Sequence, residues 1–473
     1  MNGAGAVLVR KEISSLAADD RIVTEYASAV KTMKEREPSD PTSWSYQANI
    51  HGTLTEPAEN LWNQCQHATW YFLPWHRMYL YYFERIVRAT VVENGGQADW
   101  TLPYWNYCQG GKHAFLPEPF REPPPGQESP LYVAGRDSRL NRGERGMPES
   151  VTSPLKARAR PHFIGKAEFG GPETGFQHSG ETFGKVENEP HNLVHVFVKG
   201  LMLYPETAAQ DPIFWLHHAN IDRLWSEWIG IAGAHHEDPT EPDWLTFEFS
   251  FYDEHRQEVK MRSADVLATA AQLGYTYDTE PVQPVAPLAP PVAAPAPPAP
   301  APVAMTPPPP REMIGATSEG ITLTGRQTTV SVPIGEHAAE GFGEHVHAYL
   351  NVEEIAGENN PGISYLVYAD LEGGEPPRPD SPRFLGTLSF FGIERARNPV
   401  GDEQPHALGV SYDITPIARE LAARGQWAGH ELPVTFAPLD LVEPGAGGSS
   451  GVSPTPHEDR PIELGRLSVF YDA

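Results

Sequence analysis

The sequence is poor in cysteine and in basic residues, and it lacks long hydrophobic runs. Two cysteines, Cys65 and Cys108, allow one disulfide at most, which does not suggest an extracellular disulfide scaffold. No stretch of about 18 apolar residues occurs, so no membrane span is expected. Residues 1–20 lack the hydrophobic core of a signal peptide, so the location is taken as cytoplasmic or unknown. Lys and Arg number 35 against 62 Asp and Glu, and the net charge of −27 argues against nucleic acid or an anionic membrane as a partner.

Proline is abundant instead, and it is concentrated in one segment. Residues 281–310 contain 14 Pro and 8 Ala, a composition that builds neither helix nor sheet and predicts an extended polyproline-type spacer. We therefore divide the chain into residues 1–280, a linker at 281–311, and residues 312–473. An exposed, unstructured linker is also an expected site of proteolytic cleavage.

The two flanking regions have different periodicities. Residues 1–280 contain helical patterns, among them "WHRMYLYYFERIVRATVVEN", with Gly- and Pro-rich loops at 110–190. Residues 312–473 contain short alternating runs such as "TTVSVPI", "ISYLVYADL" and "LPVTFAPLDL", interrupted by one helical stretch, "PIARELAARG". The sequence thus predicts a mainly α region followed by an antiparallel β-sandwich or barrel.

Two adjacent histidines lie in the stretch "DPIFWLHHANIDRLW", residues 211–225. Asp211 and Pro212 predict a helix start, because an acceptor side chain caps the first N–H groups and proline fits the first turn. His218 then falls on an apolar stripe, while His217 lies about 100° around the helix on a more mixed face. The stripe predicts that His218 points inward, either as a hydrogen-bonded core residue or as a ligand.

Five further histidines join His218 in two groups of three, each embedded in aromatic residues. The groups are His51, His67 and His76, then His191, His195 and His218. An i, i+4 spacing puts His191 and His195 on one helix face, and Pro74 lets a new helix begin between His67 and His76. Three neutral imidazoles suit copper or zinc, so the pattern predicts a pair of metal ions. The alternative is six unrelated core histidines.

These histidine-bearing motifs resemble those of a known family. The motifs are "IHG", "CxHxxWxFLPWHRxYL", "PHNxVH" and "DPIFWLHHANIDRLW", within residues 51–82 and 187–228. They look like the two copper-binding signatures of the coupled binuclear copper family, which includes tyrosinases, catechol oxidases and molluscan-type haemocyanins. Residues 249–278, with the motif Tyr275-Thr276-Tyr277, and the β region resemble plant-type polyphenol oxidases.

The resemblance implies a fold and a cofactor. The fold is a mainly α catalytic domain, in which a four-helix bundle holds a dicopper site, with a C-terminal antiparallel β-sandwich domain. Two copper ions then bind dioxygen between them as peroxide. Carried over to this chain, copper A is bound by His51, His67 and His76, and copper B by His191, His195 and His218. His217 is implied to be a non-ligating neighbour.

Further residues receive roles from the same resemblance. Glu187 and Asn192 match positions that hold a water near copper B and help to deprotonate a phenol. Cys65 stands two residues before His67, the spacing that in fungal and molluscan relatives carries a thioether bond between cysteine sulfur and imidazole carbon. The alternatives for Cys65 are a buried thiol and a disulfide with Cys108.

Substrate access is expected to depend on the segment between His195 and His218, which is short, as in bacterial relatives. The predicted gate residues are Val196, Leu203, Pro205 and Phe214. In the resembling plant and fungal enzymes, the C-terminal domain docks over the copper entrance and inserts a bulky side chain. Phe390 and Phe391 in "LSFFGIE" are the candidates for that plug.

The expected function is therefore that of a tyrosinase, a latent enzyme until the chain is cut between residues 281 and 311. It would hydroxylate monophenols to catechols and oxidise catechols to o-quinones, with small phenols and O2 as its partners. The alternatives are a catechol oxidase limited to the second step and a haemocyanin-like oxygen carrier. The single copper unit argues against the carrier.

Overall fold

The computed structural model describes residues 7–55, 59–174, 182–279, 312–339, 346–371, 377–378, 380–397, 407–439 and 460–472. The linker predicted at residues 281–311 lies outside the described residues. Below, residues 7–279 are called the helical region and residues 312–472 the β region. In the described ranges, no helix combines the length and the apolar character needed to cross a membrane.

Helices dominate the helical region. The α-helices are α1 (Arg21–Glu35), α2 (Trp44–His51), α3 (Phe72–Glu93), α4 (Ser138–Asn141), α5 (Glu149–Thr152), α6 (Leu155–Arg158), α7 (Leu193–Val198), α8 (Pro205–Ala208), α9 (Pro212–Ile229) and α10 (Pro242–Thr246). The 3₁₀ turns are Ile13–Ser15, Tyr107–Gln109, Gly111–Ala114, Glu118–Phe120, Gly200–Leu203 and Ser263–Asp265, and wider helical turns are Glu187–Asn192 and Thr269–Leu273. The strands are β1 (Leu8–Arg10), β2 (Glu248–Tyr252), β3 (Glu258–Arg262) and β4 (Tyr275–Tyr277). β1 pairs with β4 in parallel, and β2 with β3 antiparallel.

Helix α9 begins where the sequence predicts it. The Asp211 side chain accepts a hydrogen bond from the Ile213 N–H at 3.0 Å, and Pro212 occupies the first turn. The helix is buried on all sides, with both His217 and His218 in the interior. The prediction that His218 points inward is confirmed, but His217 is buried as well, so burial does not distinguish the two histidines.

Helix α3 explains how His67 and His76 approach each other. It begins at Phe72, so Pro74 lies in the first turn, where its missing N–H costs no helical hydrogen bond. His76 lies on the helix, whereas His67 belongs to the non-helical segment before it. The predicted break between these two histidines is confirmed, and α3 packs against α1 and α9.

A buried ionic network joins the ends of the helical region to the helices of its core. Asp222 of α9 faces Arg10 of β1 at 3.2 Å and also pairs with Arg77 of α3. Tyr275 donates to the same carboxylate at 2.6 Å, and Tyr277 also hydrogen-bonds to it. Strands β1 and β4 are thus tied to both α3 and α9, a link that no local sequence pattern predicts.

The β region contains two antiparallel sheets around one core. Its strands are β5 (Glu312–Ala316), β6 (Ile321–Leu323), β7 (Thr328–Pro333), β8 (His347–Ala356), β9 (Tyr365–Ala369), β10 (Phe384–Leu388), β11 (Leu408–Asp413), β12 (Glu431–Pro438) and β13 (Ile462–Asp472), and its helices are α11 (Ile393–Arg397) and α12 (Thr415–Ala423). One sheet has the order β10-β9-β12-β7, and the other has the order β11-β8-β13-β5 with β6 also on β13. Side chains of both sheets, such as Val367 and Val469, share a hydrophobic cluster. The predicted alternating runs and the helix are confirmed, whereas β5, β6 and β11 were not predicted.

Candidate metal centre

The structure brings the six predicted histidines together in one buried cluster. Four lie on α-helices, His51 at the end of α2, His76 on α3, His195 on α7 and His218 on α9, while His67 lies in the non-helical segment before α3 and His191 in the wide turn Glu187–Asn192. All six are buried. Within the first group, ring centroids lie between 5.2 and 5.6 Å apart. Within the second they lie between 4.6 and 5.6 Å apart, and His76 stacks on His218 at 4.5 Å, so the groups face each other.

Three of the imidazoles have a fixed tautomer. They donate from Nδ1 to backbone carbonyls: His51 to Pro205 at 2.9 Å, His76 to Phe72 at 2.7 Å and His195 to Met202 at 2.7 Å. A carbonyl oxygen only accepts, so the proton lies on Nδ1 and Nε2 keeps its lone pair. The Nε2 atoms of His51 and His67 lie 3.2 Å apart, and those of His195 and His218 lie 3.4 Å apart. Nε2 atoms gathered at such distances fit a shared cation.

Burial keeps the second group of rings neutral. It lowers the pKa of His191, His195 and His218 well below the ordinary value of an imidazole, and repulsion by neighbouring histidines lowers it further. The pKa of His217 is lowered for the same reasons. A neutral imidazole is the form that binds a metal ion.

Glu187 and Asn192 each lie against a predicted ligand. One oxygen of Glu187 lies 2.9 Å from Nδ1 of His67, and the Ala68 N–H donates to the same carboxyl group at 3.0 Å. Burial raises the pKa of Glu187 well above the ordinary value, and the Ala68 hydrogen bond opposes that rise. Asn192 Oδ1 lies 2.8 Å from Nδ1 of His191. Both residues thus orient imidazole rings, and their predicted role in holding a water stays a prediction.

His217 is closer to the centre than the sequence suggests. Its Nδ1 lies 2.9 Å from the buried Tyr107 hydroxyl. Its ring centroid is 5.2 Å from that of His191 and 4.9 Å from that of His195. His217 Nε2 is buried and has no hydrogen-bond partner in the described part of the chain.

Cys65 lies beside the first group of histidines. Its sulfur and one nitrogen each of His51 and His67 all lie within 4.8 Å of one another. Cys65 and Cys108 form no disulfide, so that alternative is wrong. Cys108 is half-buried and accepts a hydrogen bond from Asn220 at 3.6 Å; burial raises the pKa of its thiol to about 11. The thioether between Cys65 and His67 stays a prediction.

Phe391 of the β region reaches the histidine cluster. Its ring stacks on the His195 imidazole with a centroid distance of 4.3 Å, and its edge contacts with His67 and His191 measure 5.5 and 5.7 Å. It forms a small hydrophobic cluster with Val196 and Leu203, two of the predicted gate residues. Pro205, the third, lines a narrow crevice with His67 and Phe391.

The other two predicted residues lie elsewhere. Phe390 points into the core of the β region, 6.0 Å from the Tyr365 ring, because successive residues of an extended chain face opposite sides. Phe214 belongs to the core of the helical region, where it packs on His51 at 4.9 Å and on His218 at 4.1 Å. It supports ligand rings and does not join the other gate residues.

Two sets of contacts at the site were not predicted from the sequence. The ring of Phe72 packs on His76 with a centroid distance of 4.7 Å and on His191 at 4.8 Å, so it contacts both groups of histidines. Asn188 and Glu189 connect the His191 segment with Thr387 of the β region. The helical spacing of Phe72 and His76 was a usable signal for the first of these, whereas no sequence signal pointed to the second.

The donor set fits a pair of copper ions. Six imidazoles lie in two facing groups, and within the described residues no carboxylate belongs to the sets of donor atoms that converge there. Such a set favours copper or zinc over magnesium or calcium, which prefer oxygen ligands. The Nδ1 partners described above fix the ring orientations.

Comparisons with known proteins agree with this centre. The common central domain of tyrosinase matches residues 41–170 and 150–231, the polyphenol oxidase middle domain matches residues 238–286, and a domain of unknown function matches residues 310–472. The structure of latent apple tyrosinase covers 100% of this chain and 98% of its own with a TM-score of 0.63 at 21% identity, and a latent aurone synthase covers 99% and 90% with a TM-score of 0.62 at 20% identity. At these identities the likeness shows the fold.

Curated relatives extend the match along the chain. A chloroplastic polyphenol oxidase of Vitis vinifera is 32% identical over 288 residues, 55% of this chain and 46% of the relative, so the chain spans about half the length of this plant protein. A tyrosinase of Hahella sp. (strain CCB-MM4) is 34% identical over 456 residues, which cover 89% of this chain and 93% of the relative. With this match along nearly its whole length, the chain belongs to the tyrosinase and polyphenol oxidase family of oxidoreductases.

Proposed function

We propose that the protein is a copper-dependent tyrosinase that hydroxylates monophenols to catechols and oxidises catechols to o-quinones with O2. One observation carries the proposal: six buried imidazoles converge in two facing groups, and the ring of Phe391 covers them. Unrelated structural histidines would each find a separate polar partner, whereas here the Nε2 atom of His218 lies 3.2 Å from that of His191 and 3.4 Å from that of His195.

We assign copper A to His51, His67 and His76, and copper B to His191, His195 and His218. Bound copper supplies the electron transfer to dioxygen that protein side chains do not provide. The residues around it hold the geometry: backbone carbonyls orient His51, His76 and His195, while Glu187 orients His67. The predicted thioether of Cys65 would fix His67 further.

Substrate handling falls to two residues of the segment that carries His191, one of which, Glu187, also contacts His67 of the first group. A phenol loses its proton before it binds the metal, so a base near copper B helps. We propose that Glu187 and Asn192 hold the water that takes this proton. Supporting this role, Asn192 directs Oδ1 to His191, and its Nδ2 is buried with no hydrogen-bond partner in the described residues. Val196, Leu203 and Pro205 would then form the entrance.

We further propose that the enzyme is latent. In this scheme residues 1–280 are the catalytic domain with a four-helix bundle formed by α2, α3, α7 and α9. Residues 281–311 are the linker, and residues 312–473 are a β-sandwich domain that covers the entrance. Phe391, stacked on His195 at 4.3 Å, occupies the place of a substrate ring.

One assay tests the function. Copper-loaded chain, intact and cut between residues 281 and 311, is supplied with a monophenol and then with a catechol, and oxygen uptake and quinone formation are measured. We expect both substrates to react and the cut chain to react faster. Turnover of catechol alone would favour a catechol oxidase, and reversible oxygen binding without turnover a carrier.

A further inference from the structure

The segment that carries His191 has two sides with different partners. Glu189 has the extended angles φ −141° and ψ 117°, because a residue before proline disfavours α-helical backbone angles. Its extended conformation interrupts the turn Glu187–Asn192. On one side, Glu187 contacts His67 and His191 belongs to the histidine cluster. On the other side, the side chains of Asn188 and Glu189 contact β10 of the β region.

The side chains of Asn188 and Glu189 hydrogen-bond to both polar backbone groups of Thr387. The Asn188 side-chain N–H₂ donates to the Thr387 carbonyl at 3.1 Å, and the Thr387 N–H donates to the Glu189 carboxylate at 2.6 Å. β10 is the edge strand of its sheet, so these groups face outward and would otherwise need water or another strand. Asn188 and Glu189 therefore take the place of a neighbouring strand.

The seat of the Glu189 carboxylate, formed by Gly386, Thr387 and Lys185, is closely packed. A Cβ atom added at Gly386 would lie 2.5 Å from the Glu189 carboxylate oxygen, 2.9 Å from Tyr412 Cε1 and 3.1 Å from Lys185 Nζ, so a side chain at position 386 would displace the carboxylate and press on the Tyr412 ring. Lys185 pairs with Glu189 at 3.2 Å. Thr387 is fully buried, and Asn188 and Glu189 are 2% and 5% exposed. Burial alone would raise the pKa of Glu189, but Lys185 and Lys156 hold it below its ordinary value.

From this geometry we propose that Asn188 and Glu189 are positioning residues for the metal centre. Their hydrogen bonds to the backbone of Thr387 couple docking of the β region to the position of His191, which follows Glu189 by two residues. This coupling slows the loss of copper from the second group. Coupling between two binding equilibria is reciprocal, so copper in the second group also strengthens docking of the β region. This inference rests on the proposed copper function.

Chelator-driven copper release from the intact, copper-loaded chain tests the coupling. Asn188→Ala and Glu189→Gln should speed the release of one of the two ions by about tenfold or more, the usual effect of losing a contact behind a metal ligand. Gly386→Ala disturbs the same seat from the β region and should speed copper release to a similar extent, without altering any residue near the histidines. Copper X-ray absorption should show altered nitrogen distances for one ion in these three variants.

Arg160→Ala is the matched control. Arg160 pairs with Asp413 at 3.2 Å and also joins the helical region to the β region, but it does not belong to the His191 segment. We expect its two release rates to equal those of the wild type. Wild-type rates in the three seat variants, or equal acceleration by Arg160→Ala, would overturn the positioning role. Failure of the wild type to hold two ions would instead overturn the copper function itself.

Discussion

The ring of Phe391 lies over the imidazole of His195, with centroids 4.3 Å apart and planes inclined by 28°. The two residues belong to different regions of the chain, and Phe391 is 1% exposed. In the proposed latent enzyme, this ring occupies the volume that a phenol would need. The contact would then link the position of the β region to access to the metal centre.

Phe391→Ala should raise catechol turnover of the intact chain on the order of tenfold or more. Truncating a buried phenylalanine costs about 3 kcal/mol, and each 1.4 kcal/mol corresponds to roughly a factor of ten in the docking equilibrium. Initial rates at equal copper content measure the effect. Cutting between residues 281 and 311 should then activate the variant less than the wild type. If Phe391→Ala is no faster than the uncut wild type, Phe391 does not block the entrance.

His217→Ala and His218→Ala should differ in copper content. His218→Ala removes a nitrogen that lies 3.2 Å from His191 Nε2, so we expect the loss of one copper per chain. His217→Ala removes the partner of the buried Tyr107 hydroxyl, so we expect a stability loss of about 1–3 kcal/mol with both ions retained. Metal analysis and thermal unfolding separate the two effects. Copper loss confined to His217→Ala would reverse the assignment.

The histidine centre was predictable because its information is local. Proline at the start of α9, the i, i+4 pair and the break before His76 are short-range patterns, and the motif resemblance supplied the remaining assignments. The apolar stripe correctly predicted that His218 points inward. Because residues 212–225 of α9 are buried on every side, His217 is buried too, and burial alone does not separate the two histidines.

The contacts between regions could not be predicted. Glu189 and Thr387 are 198 residues apart, and Arg10 and Asp222 are 212 apart. Such pairs are created by tertiary packing and leave no spacing in the sequence. Likewise, alternation in "LSFFGIE" indicated that one of two phenylalanines enters the β core, but the packing decided that it is Phe390.

Copper treatment should join Cys65 to His67 and lower the mass of the chain by two hydrogen atoms. The carbon–sulfur bond replaces one S–H and one C–H bond, and the two electrons pass to copper and dioxygen. The sulfur lies within 4.8 Å of an imidazole nitrogen of His67, so the two side chains are neighbours. Peptide mass spectrometry after alkylation measures the bond, with Cys65→Ser as the control. A fully alkylated Cys65 after turnover would exclude the thioether.

Stability of the docked chain should depend on Lys156 between pH 7 and 10.5. Burial lowers the pKa of Lys156 from 10.5 to about 7; Glu189 opposes this, while Lys185 and Arg160 add to it. Its ammonium donates to the Phe384 carbonyl at 3.0 Å. In this window the unfolded chain binds more protons, so stability rises with pH.

Comparison with Lys156→Met isolates that contribution. Because methionine carries no charge, we expect the variant to unfold at a higher temperature than the wild type near pH 7, with the difference shrinking towards pH 10. Lys156→Arg stays charged throughout and should not converge in this way. Parallel curves for wild type and Lys156→Met would contradict the burial effect.

Asp222→Asn should destabilise the helical region strongly. Burial alone would raise the pKa of Asp222, but Arg77 and Arg10 lower it, so the residue is a buried carboxylate facing two buried arginines. Removing one partner of such a network costs about 3–5 kcal/mol, because it leaves charge without compensation in the interior. For a region of this size we expect the unfolding temperature to fall by roughly 10 °C.

A surface pair provides the control for Asp222→Asn. Glu144 pairs with Arg142 at 2.6 Å, but both side chains are about half exposed, so water screens the interaction. Glu144→Gln should therefore shift the unfolding temperature little. Because Asp222 follows His218 by one helical turn, Asp222→Asn should also weaken copper retention, measured by release to a chelator. Unfolding temperatures of Asp222→Asn and Glu144→Gln that coincide would show that the buried network does not hold α9 in place.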